Sequence, residues 1–174
     1  MFFEVSCLDY YKTTILEDWI TKKYTRMGIT LPSHINIKYI ARRFDIFINA
    51  SKLKTTHYIV GRCRVISLEN GLTEEEKREA FFHEFCHIQR HAGVQSNMPN
   101  PFRELQEWDA TAFTLYAAIP FHMIKYIPFE EPGCIEETAR LFRVTPELAE
   151  KRISQILRRS SNYAMESFNT TKYK

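Results

Sequence analysis

The segment TEEEKREAFFHEFCHIQRHAG, Thr73 to Gly93, constrains the chain more than any other stretch. Thr73 with Glu76 three residues later is a capping box, and the acidic run Glu74 to Glu76 suits the positive end of a helix. Gly93 is a natural stop. A helix of this composition must hide Ala80, Phe81, Phe82, Phe85 and Ile88, so the rest of the chain has to build a core around it. It also carries three histidines at four-residue steps, His83, His87 and His91.

Residues four apart on an α-helix are separated by about 40° around the axis and about 6 Å along it. His83 and His87 therefore share a face and can grip one tetrahedral metal ion. Glu84 is turned about 100° from His83, too far to join the same set of ligands. It can still reach a water molecule beside the ion. Two imidazoles and an adjacent carboxylate are the parts of metal-assisted hydrolysis, a Lewis acid and a group that takes a proton from water. The bland alternative is a helix whose histidines are satisfied core or surface groups. Burying imidazoles among so many apolar neighbours without a partner would be costly, which favours the metal.

A hydrolytic zinc site needs a third protein ligand and one open position. His91 stands about 12 Å from His83 along the axis, so a straight helix cannot bring all three histidines to one ion. It is expected to be a neighbour of the site or a capping group. Cys86 reads as a small buried apolar residue. The next helix offers Glu104, Glu107 and Asp109. Glu104 and Glu107 share a face, and Asp109 lies on another side. Glu107 is preferred to Glu104, because Ala110 and Phe113 give a compact, apolar approach to a neighbouring helix.

Around this helix, YKTTILEDWITKKYTRMG and SHINIKYIARRF read as helices, the first ended by Gly28 and the second capped by Ser33. DIFIN, HYIVG and RCRVISL alternate and are rich in β-branched or aromatic residues, so a sheet of about three strands precedes the histidine helix. FRELQEWDATAFTLYAAIP is a further helix ended by Pro120. CIEETARLFRVTPELAEKRISQIL reads as two helices joined at Val144 and Thr145, with Pro146 at a first helical position, a shape like a small helix-turn-helix. From Ser160 onward little is left to pack, and a frayed tail is expected. The predicted architecture is α+β. Residues 1–126 form the principal domain, 127–160 a helical C-terminal segment and 161–174 a disordered tail.

With 44% hydrophobic residues the 174-residue chain can bury a real core. A net charge of +3 is too small a surplus to argue for nucleic acid as the main partner. The cysteines Cys7, Cys63, Cys86 and Cys134 include no CxxC pair, so neither a zinc ribbon nor a disulfide framework is expected. MFFEVSCLDYY lacks the basic start of a signal peptide, and no apolar run approaches a membrane span. The expectation is a soluble protein of a reducing cytoplasm.

Taken together, HEFCHIQRH, EWDATAFTLYAAIP and ETARLFRVTPELAEKRI make the chain resemble the ImmA/IrrE metallopeptidases of prophages and mobile elements. That family combines an HExxH helix, a helix beginning Glu-x-x-Ala and ending in Pro, and a segment like LAxxFxVSxxxxxxRL. The resemblance covers roughly residues 38–157. It implies a zincin-type, gluzincin-like peptidase with one zinc ion on His83, His87 and Glu107, and Glu84 as catalytic base. It also implies a helix-turn-helix repressor as protein substrate, and it places a non-ligand histidine at His91. Where the family commonly has Asn or Asp to brace a ligand histidine, this chain has Thr111, whose hydroxyl accepts an imidazole N–H more weakly. A second oxyanion donor is expected, with Tyr116, His122 and Tyr126 left open. The rival reading is a DNA-binding regulator, resting on Arg140, Arg143, Lys151, Arg152, Arg158 and Arg159 in the C-terminal helices.

Overall fold

Several helix starts in this protein are fixed by side chains that accept otherwise unpaired backbone N–H groups. The computed structural model describes residues 11–91 and 98–171. Helix α1 (Ile15–Arg26) begins at a reciprocal capping box between Thr14 and Glu17. Ser33 does not cap the next helix, as the sequence suggested. Pro32–His34 forms a single 3-10 turn, and α2 (Ile37–Arg43) starts after Asn36, whose side-chain oxygen accepts the N–H of Tyr39 at 3.0 Å. Proline starts the turn without needing a donor, and asparagine then supplies the better-placed acceptor.

Strands β1 (Ile46–Ser51), β2 (Thr56–Val60) and β3 (Cys63–Glu69) form one mixed sheet in the order β1-β3-β2. β1 runs parallel to β3, and β2 runs antiparallel to it. β2 and β3 meet in a two-residue turn, Gly61–Arg62, with Gly61 at φ 61°. Glycine at the first central position suits a type II′ hairpin. Alternation buries Ile46, Ile66 and Leu68. His57 pairs with Ile66 and so faces the same way, toward the helices. The fold is the expected α+β arrangement with a small three-stranded sheet.

Helix α3 (Glu74–Arg90) carries the predicted capping box at Thr73 and Glu76 and packs across β3 and β2. Its C-cap is His91; the expected stop at Gly93 lies outside the described residues, as do Cys7 and the rest of MFFEVSCLDY. Helix α4 (Asn100–Ala118) lies along α3 and ends just before Pro120. Helices α5 (Cys134–Phe142) and α6 (Pro146–Thr171) follow, with the Thr145 hydroxyl accepting the N–H of Leu148 at 3.2 Å.

One apolar core joins Ile20, Ile40, Ile66, Phe81, Phe113, Phe142 and Ile156. Segment 127–160 contributes Ala139, Phe142, Leu148, Ala149 and Ile153 to this same core. Helix α6 runs to Thr171, and the last three positions of the expected tail lie outside the described residues. At Ser160 the helix still has partners: Ser160 is buried, and Arg159 reaches Glu17 at 3.0 Å. Tertiary packing of that kind, more than propensity, sustains a helix in water.

The pair that ties α6 to α1 is wholly enclosed. Arg152 Nη2 lies 2.6 Å from Glu17 Oε1, with both side chains 0% exposed. Tyr11 OH donates to the same oxygen at 2.5 Å. Burial acts to raise the Glu17 carboxyl pKa, but the Arg152 charge and the Tyr11 bond hold it below the usual carboxylate value. Cys63, Cys86 and Cys134 are free thiols, and no described helix is long and apolar enough to cross a membrane.

Candidate metal and catalytic centre

The first of the four-residue steps on α3, His83 to His87, meets a carboxylate from α4. His83 Nε2 lies 3.1 Å from Glu107 Oε2, and His87 Nε2 lies 3.4 Å from Glu107 Oε1. The two imidazoles face each other through Nε2 at 3.1 Å. One donor atom from each of the three residues falls within 4.8 Å of the other two. Close helix packing permits this: Ala110 is 0% exposed at the α3–α4 contact, and the Phe85 and Phe113 rings stand 5.7 Å apart. Glu104, the alternative donor, is exposed and outside the group.

His87 is held from behind. Its Nδ1 is 2.8 Å from His91 Nδ1, and His91 Nε2 is 3.0 Å from Asp109 Oδ2. Arg90 donates to both Asp109 oxygens, at 2.7 and 3.1 Å. Because Asp109 accepts the Nε2 proton of His91, the other His91 nitrogen accepts from His87 Nδ1–H. That leaves the Nε2 lone pair of His87 directed at Glu107 and His83. Burial, then the neighbouring His83, depress the His87 pKa to about 4, so its ring is neutral. The donor set therefore fits a tetrahedral divalent ion with an open fourth position.

Cys86, His91 and Asp109 form a second grouping with metal-ligand chemistry. Arg90 already occupies both Asp109 oxygens, and burial followed by the Asp109 charge pushes the Cys86 thiol pKa up. It is a hydrogen-bonded brace for His87. The sequence had turned Asp109 away from the site; the structure shows that its side is the one facing His91. Thr111 does not brace an imidazole. Its hydroxyl donates to the Glu107 carbonyl at 2.8 Å, a bond within its own helix.

The group opens onto a cleft of about 660 Å³. β2 supplies Thr56 and His57, α3 supplies Glu84 beside the histidines, and α4 supplies Thr111 and Leu115. The opposite wall is the start of α6, with Leu148 and Lys151. Glu79 on α3 accepts the Thr145 N–H at 2.7 Å and so fixes that wall to the histidine helix. None of the three expected oxyanion donors lines the cleft. Tyr116 accepts from Gln155 at 3.1 Å, His122 donates to the Ile29 carbonyl at 3.0 Å, and Tyr126 lies under Lys125. The residue the sequence missed is His57, whose Nδ1 is 2.6 Å from Glu84 Oε2. Its only sequence signal is an ionisable side chain at an inward position of a strand.

The sequence model of the peptidase M78 family, described as the IrrE N-terminal-like domain, matches residues 34–154. The chain belongs to the ImmA/IrrE family. This member is 33% identical over 155 residues to a Bacillus subtilis protein described as "Uncharacterized protein YqaB", covering 88% of this chain and 90% of that one. It is 34% identical over 148 residues to the B. subtilis "Phage-like element PBSX protein XkdA", covering 84% of this chain and 75% of that one. A solved structure titled "Mycobacterium tuberculosis transcriptional regulator" shares the fold, with a TM-score of 0.61 at 13% identity. That likeness covers 86% of this ImmA/IrrE chain but only 51% of the mycobacterial one, so this chain spans about half its length.

Proposed function

We propose that this ImmA/IrrE protein is a zinc-dependent endopeptidase of a prophage or mobile element, and that its substrate is a helix-turn-helix repressor. One observation carries the enzymatic part. His83, His87 and Glu107 converge in a cleft that also holds Glu84. The phage-like element relative supports the setting. A zinc ion on those three residues would supply Lewis acidity for a peptide carbonyl and for water. His83, His87 and Glu107 would hold that ion, with His91 and Asp109 orienting His87. Glu84 takes a proton from the attacking water at Oε1, which has no partner among the described residues, and returns it to the departing amine.

The DNA-binding alternative has weaker support. Arg152 is buried on Glu17, Arg159 reaches the same carboxylate, Arg140 pairs with Glu137, and Lys151 faces the cleft. Few of the basic residues remain for a phosphate backbone.

The test is to incubate the purified protein with the repressor encoded nearest to it, with and without chelator. Cleavage lost on chelation and restored by zinc is expected; cleavage indifferent to chelator would refute the reading. The brace makes its own prediction. His91→Phe should weaken zinc affinity about 10–100-fold, as removal of such outer partners typically does. Competition against a chromophoric chelator measures it, and wild-type affinity would show that His91 does not orient His87.

A further inference from the structure

Among the described residues, His57 is the ionisable side chain that the sheet aims at the centre, and the proposed reaction leaves it without a task. It sits on β2, the edge strand, opposite the fully buried Ile66. Its ring stacks on that of His87, with centroids 5.4 Å apart and planes 15° from parallel. Its Nδ1 is 2.6 Å from Glu84 Oε2, with side chains 23% and 13% exposed respectively. Since a carboxylate can only accept, His57 Nδ1–H donates.

A glutamate reaches its target through three torsions, and its terminal carboxylate rotates in a broad, roughly two-fold well. Left alone, Glu84 would spread over several orientations and present either oxygen to the cleft. The bond from His57 engages Oε2 and leaves Oε1 as the oxygen free to take a proton. His57 can impose this because it is immobilised twice, by the strand register and by the His87 ring. His87 is fixed in turn through His91 and Asp109. A continuous line of side chains thus runs from Arg90 to the catalytic carboxylate.

We propose that His57 is a positioning residue that selects the working oxygen and orientation of Glu84. The inference rests on the reading of Glu84 as the base, and it has a readout independent of cleavage. Holding a reacting group in its productive geometry is worth on the order of 10²-fold per ångström of displacement.

Two substitutions separate the contacts. His57→Phe keeps a ring over His87 and removes the donor. His57→Asn places an amide N–H close to where Nδ1 stood and removes the ring. With the zinc-loaded protein and the repressor as substrate, His57→Phe should lower kcat about 10–100-fold with KM unchanged. His57→Asn should recover most of that loss, with zinc content and Tm near wild type in both variants. In proton NMR of the zinc-loaded protein, a far-downfield imidazole N–H should be present. It should vanish in His57→Asn and move upfield in Glu84→Gln.

Wild-type kcat in His57→Phe would overturn the proposal. So would loss of zinc or of Tm that tracks the rate, a missing downfield proton, or one unmoved by Glu84→Gln. If Glu84→Gln cleaves as fast as wild type, the assignment of the base fails instead, and the proton signal still decides whether His57 holds Glu84.

Discussion

Glu84→Gln is expected to bind zinc with wild-type stoichiometry and to cleave about 10²–10⁴ times more slowly, the usual contribution of a positioned acid–base group. Glutamine is nearly isosteric and can lie on the same wall of the cleft, but it has no basic oxygen to take a proton from water. Metal binding should survive because Glu84 is not among the three converging donors. Atomic absorption and single-turnover cleavage, measured on one preparation, check both halves. Zinc lost together with activity would mean that Glu84 is a ligand and the donor set is misassigned.

The second large effect lies far from the cleft. Glu17→Ala should destabilise the fold by about 3–5 kcal/mol, the cost of leaving a buried charge without its partner. Arg152, wholly hidden from solvent, would keep only neutral partners, the Tyr11 hydroxyl, Gln155 and the Ile119 carbonyl. For a chain of this size each kcal/mol lowers Tm by about 2–4 °C, so the shift is easily measured. The exposed Arg140–Glu137 pair is the control, since exposed ion pairs contribute little.

The same pair has a pH signature. The Glu17 pKa is lower in the folded state than its ordinary value, so its stabilisation is complete above that ordinary value. It is lost as pH falls through the folded value, where protonation removes the charge opposite Arg152. Wild-type urea midpoints should therefore decline on acidification, with a smaller contribution to that decline in Glu17→Gln.

Local rules made half of this centre legible. The cap at Thr73 and the step from His83 to His87 need nothing beyond helix geometry. Glu107 was distinguishable from Glu104 because Ala110, one turn on, lets two helices approach. What escaped was non-local. His57 meets Glu84 from 27 positions away in the chain and across a sheet edge. Asp109 braces His91 only once α4 has docked on α3. Arg159 of α6 meets Glu17, 142 positions earlier, only in the folded chain. At Thr111, Tyr116, His122 and Tyr126 the residue type was suitable, but each side chain is engaged elsewhere. Chemical competence is written in one residue; availability is decided by its neighbours.

The hairpin at Gly61–Arg62 gives chain length an unusual authority over chemistry. Side chains on a strand change sides at every residue, so one residue added to that turn would rotate His57 out of reach and bring Thr56 or Tyr58 around in its place. Many substitutions at Arg62 would leave the centre untouched, whereas an insertion there would dismantle it from the far end of the strand. The tolerance of this protein to change in its sheet is thus a matter of counting before it is a matter of composition.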